Sequence, residues 1–268
     1  MIPWNIRPQP DSLLECRFII YETEEMENLD IEDTSDIYVL SYIDMKDKHS
    51  TDIHYRCQTG RASFNWRNKI PIKLPRNKYD LTIQVYDNDL LARDDYICGS
   101  RLNLKYLINY SNLLDCPIKL SREYYKKLPD NEKIFSNIEF LSKEDDKEGT
   151  KFWIQMEKNG KKGGRVLCSL EILPEWYSNI NPVGKGRDEP NVNPYLPQPF
   201  GRLTFTMNPL KMFNQLVGPK FRKKCCVVLC CACVVFYLIF VVPYALWFIS
   251  GELFNPFNYI KKKNGKNI

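Results

Sequence analysis

The chain has 268 residues, ten cysteines, a formal charge of +5 and a mean hydropathy of −0.41. A content of 44% apolar and 26% charged residues excludes a fully disordered chain, and the length leaves little room beyond one ordinary domain with appendages. The charge is uneven: residues 1–150 hold 21 Lys+Arg against 27 Asp+Glu, whereas residues 151–268 hold 17 against 6, so an acidic half is joined to a basic one.

Residues 1–11 read as a lead-in. Short alternating or β-branched runs then recur at Leu13–Tyr21, Asp36–Ile43, Thr51–Cys57, Lys69–Leu74, Asp80–Tyr86, Ile97–Leu104, Phe152–Met156 and Arg165–Leu173. Eight such runs with little helical periodicity predict an all-β fold, an eight-stranded antiparallel β-sandwich over residues 12–176. Leu81, Ile83 and Val85 alternate cleanly and should face one core. Residues 105–150 are charged and irregular, an insertion with room for a short helix. Residues 177–219 are proline-rich and read as an extended linker, packed on the sandwich or hung from it.

A basic cluster follows at 220–224, with Lys220, Arg222, Lys223 and Lys224. From Cys225 to Gly251 there is no charged residue, and residues 225–250 are long enough to cross a hydrocarbon core of about 30 Å as one helix. Pro243 should kink that helix, and Tyr244 and Trp247 suit a membrane interface. Residues 251–268 form a short tail. Its Lys261, Lys262, Lys263 and Lys266 nearly balance the first basic cluster, so Lys and Arg counts alone do not orient the span.

Cys16, Cys57, Cys98, Cys116 and Cys168 are scattered and odd in number, as expected of free thiols in a reducing compartment. Met1–Ile20 contains Arg7, Asp11, Glu15 and Arg17 and shows no signal pattern. Both features favour a cytosolic sandwich and a lumenal or extracellular tail. Cys225 and Cys226 adjoin the basic cluster and are candidates for S-palmitoylation.

Chemistry concentrates in two acidic stretches. One runs from Asp30 to Asp36, between the first two strands; the other runs from Asp87 through Asp89 to Asp95. Crowded carboxylates repel one another unless a cation sits among them, and oxygen donors without Cys or His select calcium or magnesium. Either stretch alone reads as polar turn residues. Ile31, Leu90 and Leu91 lie beside the aspartates, near the expected loop tips.

These spacings resemble a C2 domain. Asp30 and Asp36 match its first-loop pair, and Asp87, Asp89 and Asp95 match its third-loop set. The resemblance implies two or three Ca2+ ions, calcium-dependent docking on anionic phospholipid, and tip residues Ile31, Leu90 and Leu91 that enter the headgroup layer. The order of the strands suggests the type II topology. A longer resemblance joins TDIHYRC (51–57), FNWR (64–67), GKGRDEPNVNPYLPQPF (184–200), the basic cluster and the terminal span. Together they are similar to the C-terminal end of a ferlin. Ferlins are far longer, so the chain is expected to be a fragment or an unusually short member. Vesicle fusion, exocytosis or membrane repair at a vesicle or plasma membrane is what that family implies. Its partners would be fusion-machinery proteins or other C2 domains of a longer parent chain.

The alternative is a calcium-independent, membrane-anchored scaffold whose C2 domain binds a protein partner. An enzyme is not expected: His49 and His54 are the only histidines, and no nucleophile elbow, phosphate loop or metal-hydrolase motif appears. Nucleic acid is not expected either, because the sandwich segment is acidic and the basic excess flanks the span.

Overall fold

The computed structural model describes residues 11–27, 34–57, 59–89, 93–128, 138–202, 207–208, 212 and 219–253. The chain divides into two compact units, Met1–Thr204 and Phe205–Ile268.

The first unit contains strands β1 (Ser12–Glu24), β2 (Ser35–Tyr42), β3 (His49–Ser50), β4 (His54–Cys57), β5 (Ser63–Leu74), β6 (Asp80–Asp87), β7 (Asp95–Asn103), β8 (Ile118–Lys119), β9 (Ile138–Phe140), β10 (Phe152–Lys158) and β11 (Lys161–Pro174). Each of the eight expected runs holds one of these strands. The hydrogen-bonded order is β3-β2-β6-β7-β10-β11-β1-β5, with β4 on β2, β8 on β11 and β9 on β10. All pairings are antiparallel among the described residues. A single pair, Glu157 with Gly99, joins β10 to β7, so the path folds there into two four-stranded faces.

Alternation explains the core. Cys16, Phe18 and Ile20 of β1, Ile37 and Val39 of β2, and Leu81, Ile83 and Val85 of β6 are all fully buried. Phe152, Ile154 and Met156 of β10 meet Val166, Cys168 and Ile172 of β11 in the same cluster. Each buried aliphatic or aromatic side chain contributes about 1.5–3 kcal/mol. The five scattered cysteines are free thiols, four of them buried, and burial pushes the Cys98 pKa up to about 12.

The insertion is more ordered than its composition suggests. It forms α1 (Lys105–Leu114), β8, α2 (Arg122–Lys127) and β9. Helix α1 buries Leu107, Ile108 and Ser111, and the Ser111 hydroxyl donates to the Cys116 carbonyl at 2.8 Å. Helix α2 starts at Ser121, whose side chain accepts from the Tyr124 N–H.

After β11 comes α3 (Glu175–Ile180), and then residues 181–202 lie as a strap against β5 and β1. Arg67 of β5 is fully buried beneath this strap. Its guanidinium donates to the carbonyls of Val192 at 2.7 Å, Pro194 at 2.6 Å and Gly184 at 3.3 Å. Burial, then the nearby Arg17 charge, lowers its pKa from the usual arginine value; Tyr21, Glu15 and Glu171 act in the opposite sense. The backbones of Arg67 and Gly186 also form an isolated bridge.

Two more arginines fasten the strap. Arg187 donates to the Phe64 carbonyl at 2.6 Å and to Asp52 Oδ2 at 2.6 Å, and its guanidinium lies over the Trp66 ring. Arg202 donates to Asp52 Oδ1 at 2.8 Å, to the Ser63 carbonyl at 2.7 Å and to the Ile53 carbonyl. Asp52 thus spends one oxygen on each arginine. Gly186 has φ +63°, and a Cβ there would sit 2.9 Å from the Trp66 ring, so both conformation and space demand glycine.

The strap also explains why β5 starts at Ser63, six residues before the expected Lys69. Phe64, Arg67 and Asn68 are all fully buried, so this half of β5 lacks the polar, solvated face that an alternating pattern announces.

The second unit contains α4 (Pro219–Phe236), a π-helical turn (Tyr237–Val241) and α5 (Val242–Leu253). Cys226–Phe248 is long and apolar enough to cross a membrane, and none of it is buried in protein. The expected kink at Pro243 takes the form of the π turn immediately before it. A proline ring collides with the carbonyl four residues back, here Ile239, and a wider turn relieves that collision. The Val242 N–H accordingly bonds the Tyr237 carbonyl, five residues away.

Replacing Arg67 with methionine should lower unfolding stability by about 3 kcal/mol or more, because three strap carbonyls lose their donor. Gly186→Ala should cost about 1–3 kcal/mol through the Trp66 collision and the positive φ. Urea denaturation of the chain in detergent, read by tryptophan fluorescence, measures both.

His54 supplies a pH dependence. Its Nδ1 accepts the Ser63 N–H at 3.0 Å, and the side chain is buried. Desolvation, then the Arg202 charge, lowers its pKa from 6.5. The unfolded chain therefore binds the extra proton first. The neutral ring's contribution is complete above 6.5 and is lost as pH falls through the lowered native value. Stability should fall more steeply as pH drops below 6.5 in the native chain than in His54→Gln, as followed by urea midpoints at each pH.

Candidate functional site: the acidic rim of the sandwich

Three strands deliver the acidic residues to one end. β2 begins beside Asp36, β6 ends on Asp87, and β7 begins on Asp95. β2 pairs with β6, and β6 with β7. Strand pairing thus brings together two loops that lie some fifty residues apart in sequence.

The register has one decisive irregularity. Val85 faces Cys98, but Tyr86 faces Tyr96, so β7 carries an extra residue at Ile97. This bulge sets Asp95 directly across from Asp87. Without it Asp87 would face Tyr96.

Hydrogen bonds then tie the loops. Asp87 is 2% exposed, and its Oδ1 accepts the Asp36 N–H at 2.6 Å. Asp36 Oδ1 accepts the Arg56 N–H at 2.7 Å, and the Asn88 N–H donates to the Asp36 carbonyl at 2.8 Å. Asp36 and Asp87 are therefore joined directly, and Asp95 and Asp87 are cross-strand neighbours. Asp89 lies two residues past β6. Asp30, Ile31, Leu90 and Leu91 lie outside the described residues.

Asp94 and Tyr38 belong to this end as well, and sequence reasoning passed over both. Asp94 Oδ2 accepts the Tyr38 hydroxyl at 2.6 Å, while its Oδ1 accepts the Asn88 side-chain amide at 3.1 Å and the Asp89 N–H at 3.3 Å. Tyr38 stacks on Tyr86 with centroids 5.6 Å apart, and Tyr86 meets Tyr96 edge-on at 5.7 Å. Burial, then the bond to Asp94, raises the Tyr38 pKa above the usual tyrosine value. The available signal was positional: Tyr38, Tyr86 and Tyr96 each lie one or two residues from an aspartate of the loops.

The donor set here is oxygen only, which suits a hard cation. Among the described residues, however, no three or more His, Cys, Asp or Glu side chains are gathered closely enough to hold a metal ion.

At the other unit, Lys223, Lys224 and Cys226 are exposed at the start of the apolar run. Lys220, Arg222 and Cys225 lie on α4, with side chains outside the described set.

The C2 domain family matches residues 15–116. Myoferlin of Homo sapiens is 31% identical over 257 residues, which covers 82% of this chain and 12% of that protein. Myoferlin of Xenopus tropicalis is 30% identical over 258 residues, covering 82% of this chain and 13% of that protein. The chain belongs to the ferlin family. It spans only about an eighth of the length of the ferlins it matches. Among solved structures, a C2 domain of plant Extended Synaptotagmin 1 is 15% identical, with a TM-score of 0.37 over 62% of this chain and 96% of that one. This ferlin chain thus pairs a C2 sandwich with one helix of membrane-crossing length.

Proposed function

We propose that this ferlin chain is a single-pass, tail-anchored membrane protein whose C2 domain docks on anionic phospholipid when calcium is present. The observation that carries this reading is the juxtaposition at the acidic rim: Asp36 bonded to Asp87, and Asp87 opposite Asp95 across a bulge. Asp30, Asp36, Asp87, Asp89 and Asp95 are the residues that would hold two or three Ca2+ ions. Bound calcium supplies positive charge and open coordination positions for phosphate oxygens.

The chain's own residues do the rest. Without a cation, the acidic rim repels an anionic bilayer. Ile31, Leu90 and Leu91 add apolar contact at the loop tips, about 1.5–3 kcal/mol for each side chain that is fully buried. Lys220, Arg222, Lys223 and Lys224 hold the cytosolic leaflet at about 1 kcal/mol per well-placed charge. The C2 domain is cytosolic in this reading, and the short tail lies in a vesicle lumen or outside the plasma membrane. Vesicle fusion, exocytosis or membrane repair, with fusion-machinery proteins or further C2 domains as partners, is the process such a molecule serves. Cys225 and Cys226 would carry the S-acyl chains.

One observation favours a second reading, a calcium-independent scaffold for a protein partner. Asp36 and Asp87 already accept amide hydrogens, and the described carboxylates form no group of three.

Flotation with phosphatidylserine liposomes separates the two. Calcium should raise binding at least about tenfold, chelator should reverse it, and Asp87→Asn with Asp89→Asn should abolish the response. Binding that ignores both chelator and the double substitution would sink the calcium reading and leave the scaffold. Protease protection of microsomes carrying the chain should cleave the sandwich and spare the tail.

A further inference from the structure

We infer that Tyr38 and Asp94 form a brace that positions the calcium-binding aspartates of the 87–95 loop while binding no metal themselves. The inference rests on the calcium reading above, and the test keeps the two separable.

The brace follows from where the hydrogen bonds go. The Asp94 carboxylate is adjacent in sequence to Asp95 and could serve as a cation ligand by chemistry alone. Both of its oxygens are instead committed: Oδ1 to the Asn88 amide and the Asp89 N–H, Oδ2 to the Tyr38 hydroxyl. The first two donors lie on the outgoing arm of the loop, and Asp94 lies on the returning arm. One carboxylate therefore pins the arms together just above the last β6–β7 pair, Asp87 with Asp95.

Tyr38 connects this pin to a third strand. It sits on β2, two residues past Asp36, and faces Tyr86 in the β2–β6 register. Its ring stacks on Tyr86 with an interplanar angle of 16°, and Tyr86 packs edge-on against Tyr96 at 68°. Tyr96 in turn lies over Gly99, where a Cβ would come within 2.6 Å of the Tyr96 hydroxyl. The hydroxyl of Tyr38 thus reports the position of β2, and with it Asp36, to the arm that carries Asp89.

The consequence is selective. A loop held by the brace keeps the arm that carries Asp89 tied to the arm that carries Asp95 before any cation arrives, so less of the loop has to be ordered when the carboxylates draw in around an ion. Freeing Asp94 releases the two arms and places a competing carboxylate beside Asp95. Loss of one such hydrogen bond corresponds to a change in affinity of about fivefold.

The experiment compares the full chain in nanodiscs with Tyr38→Phe and Asp94→Asn. Asp87→Asn with Asp89→Asn serves as the ligand-loss reference. Tyr42→Phe is the control on the same sheet face, since the Tyr42 hydroxyl meets Gln84 and not the loop. Isothermal titration gives calcium affinity and stoichiometry, and hydrogen exchange of metal-free protein gives the opening of peptides spanning 86–95. The brace predicts about fivefold weaker calcium binding at unchanged stoichiometry for Tyr38→Phe and Asp94→Asn. It also predicts faster exchange confined to that loop, with Tyr42→Phe like the native chain. If Asp94→Asn removes a bound ion, Asp94 is a ligand and the brace is wrong. If loop exchange in both variants equals that of the native chain, the brace is equally wrong, whatever the affinities. If the native chain binds no calcium, the calcium reading falls, and the exchange data still decide whether Tyr38 and Asp94 hold the loop.

Discussion

The fold of the first unit depends on where a single guanidinium finds its partners. Arg67 is completely buried, and no carboxylate forms an ion pair with it among the described residues. A buried cation is tolerated only when hydrogen bonds replace its water. Here those bonds come from carbonyls of Gly184, Val192 and Pro194, more than a hundred residues later in sequence. The strap conformation in the fold supplies all three at once. The strap is thereby made part of the domain, with Val183 and Leu196 buried beside it. The neighbouring contacts follow: Gly186 must sit flat on Trp66, Arg187 then reaches Asp52, and Arg202 closes the other oxygen of the same carboxylate.

The acidic rim runs against stability in a similar way. Like charges placed directly opposite on adjacent strands destabilise a sheet, and Asp87 faces Asp95. The bulge at Ile97 creates that confrontation, because the unbulged register would bring Tyr96 opposite Asp87. Amide donors from Asp36 and Arg56 offset part of the repulsion on Asp87 and Asp36. A register that opposes two carboxylates, held by donors from a third strand, breaks a local packing rule at a place where a ligand can use it.

Much of this was legible in sequence. The eight strands, the single core face of Leu81, Ile83 and Val85, and the apolar helix all follow from periodicity and length. The two aspartate stretches were legible as spacing, and pairing of β2, β6 and β7 explains how they meet. Two things were not legible. The first half of β5 escaped detection because Arg67 on its outer face is buried under the strap while Asn68 on the opposite face is buried against Ser41, so no polar alternation survives. The role of Asp94 escaped because spacing counts carboxylates and does not say which are already occupied. TDIHYRC, FNWR and GKGRDEPN stood out only as markers of kinship. In the fold they are the parts of one contact: Asp52, Trp66 with Arg67, and Gly186 with Arg187.

The strap and the apolar helix answer the same accounting rule in different ways. Every buried backbone carbonyl needs a donor. Around Arg67 the irregular strap has carbonyls that no strand or helix pairs, and a side chain with several N–H groups collects them. In the Cys226–Phe248 helix the difficulty is Pro243, which lacks an N–H and pushes against the carbonyl of Ile239. A helix of membrane-crossing length and apolarity is best repaired from its own backbone. The helix therefore widens to a π turn over Tyr237–Val241 and makes the repair from its own backbone, the Val242 N–H reaching back to Tyr237. An arginine-based repair would spoil the apolar run of the helix, and a π turn in the sandwich could not gather three carbonyls from a distant segment.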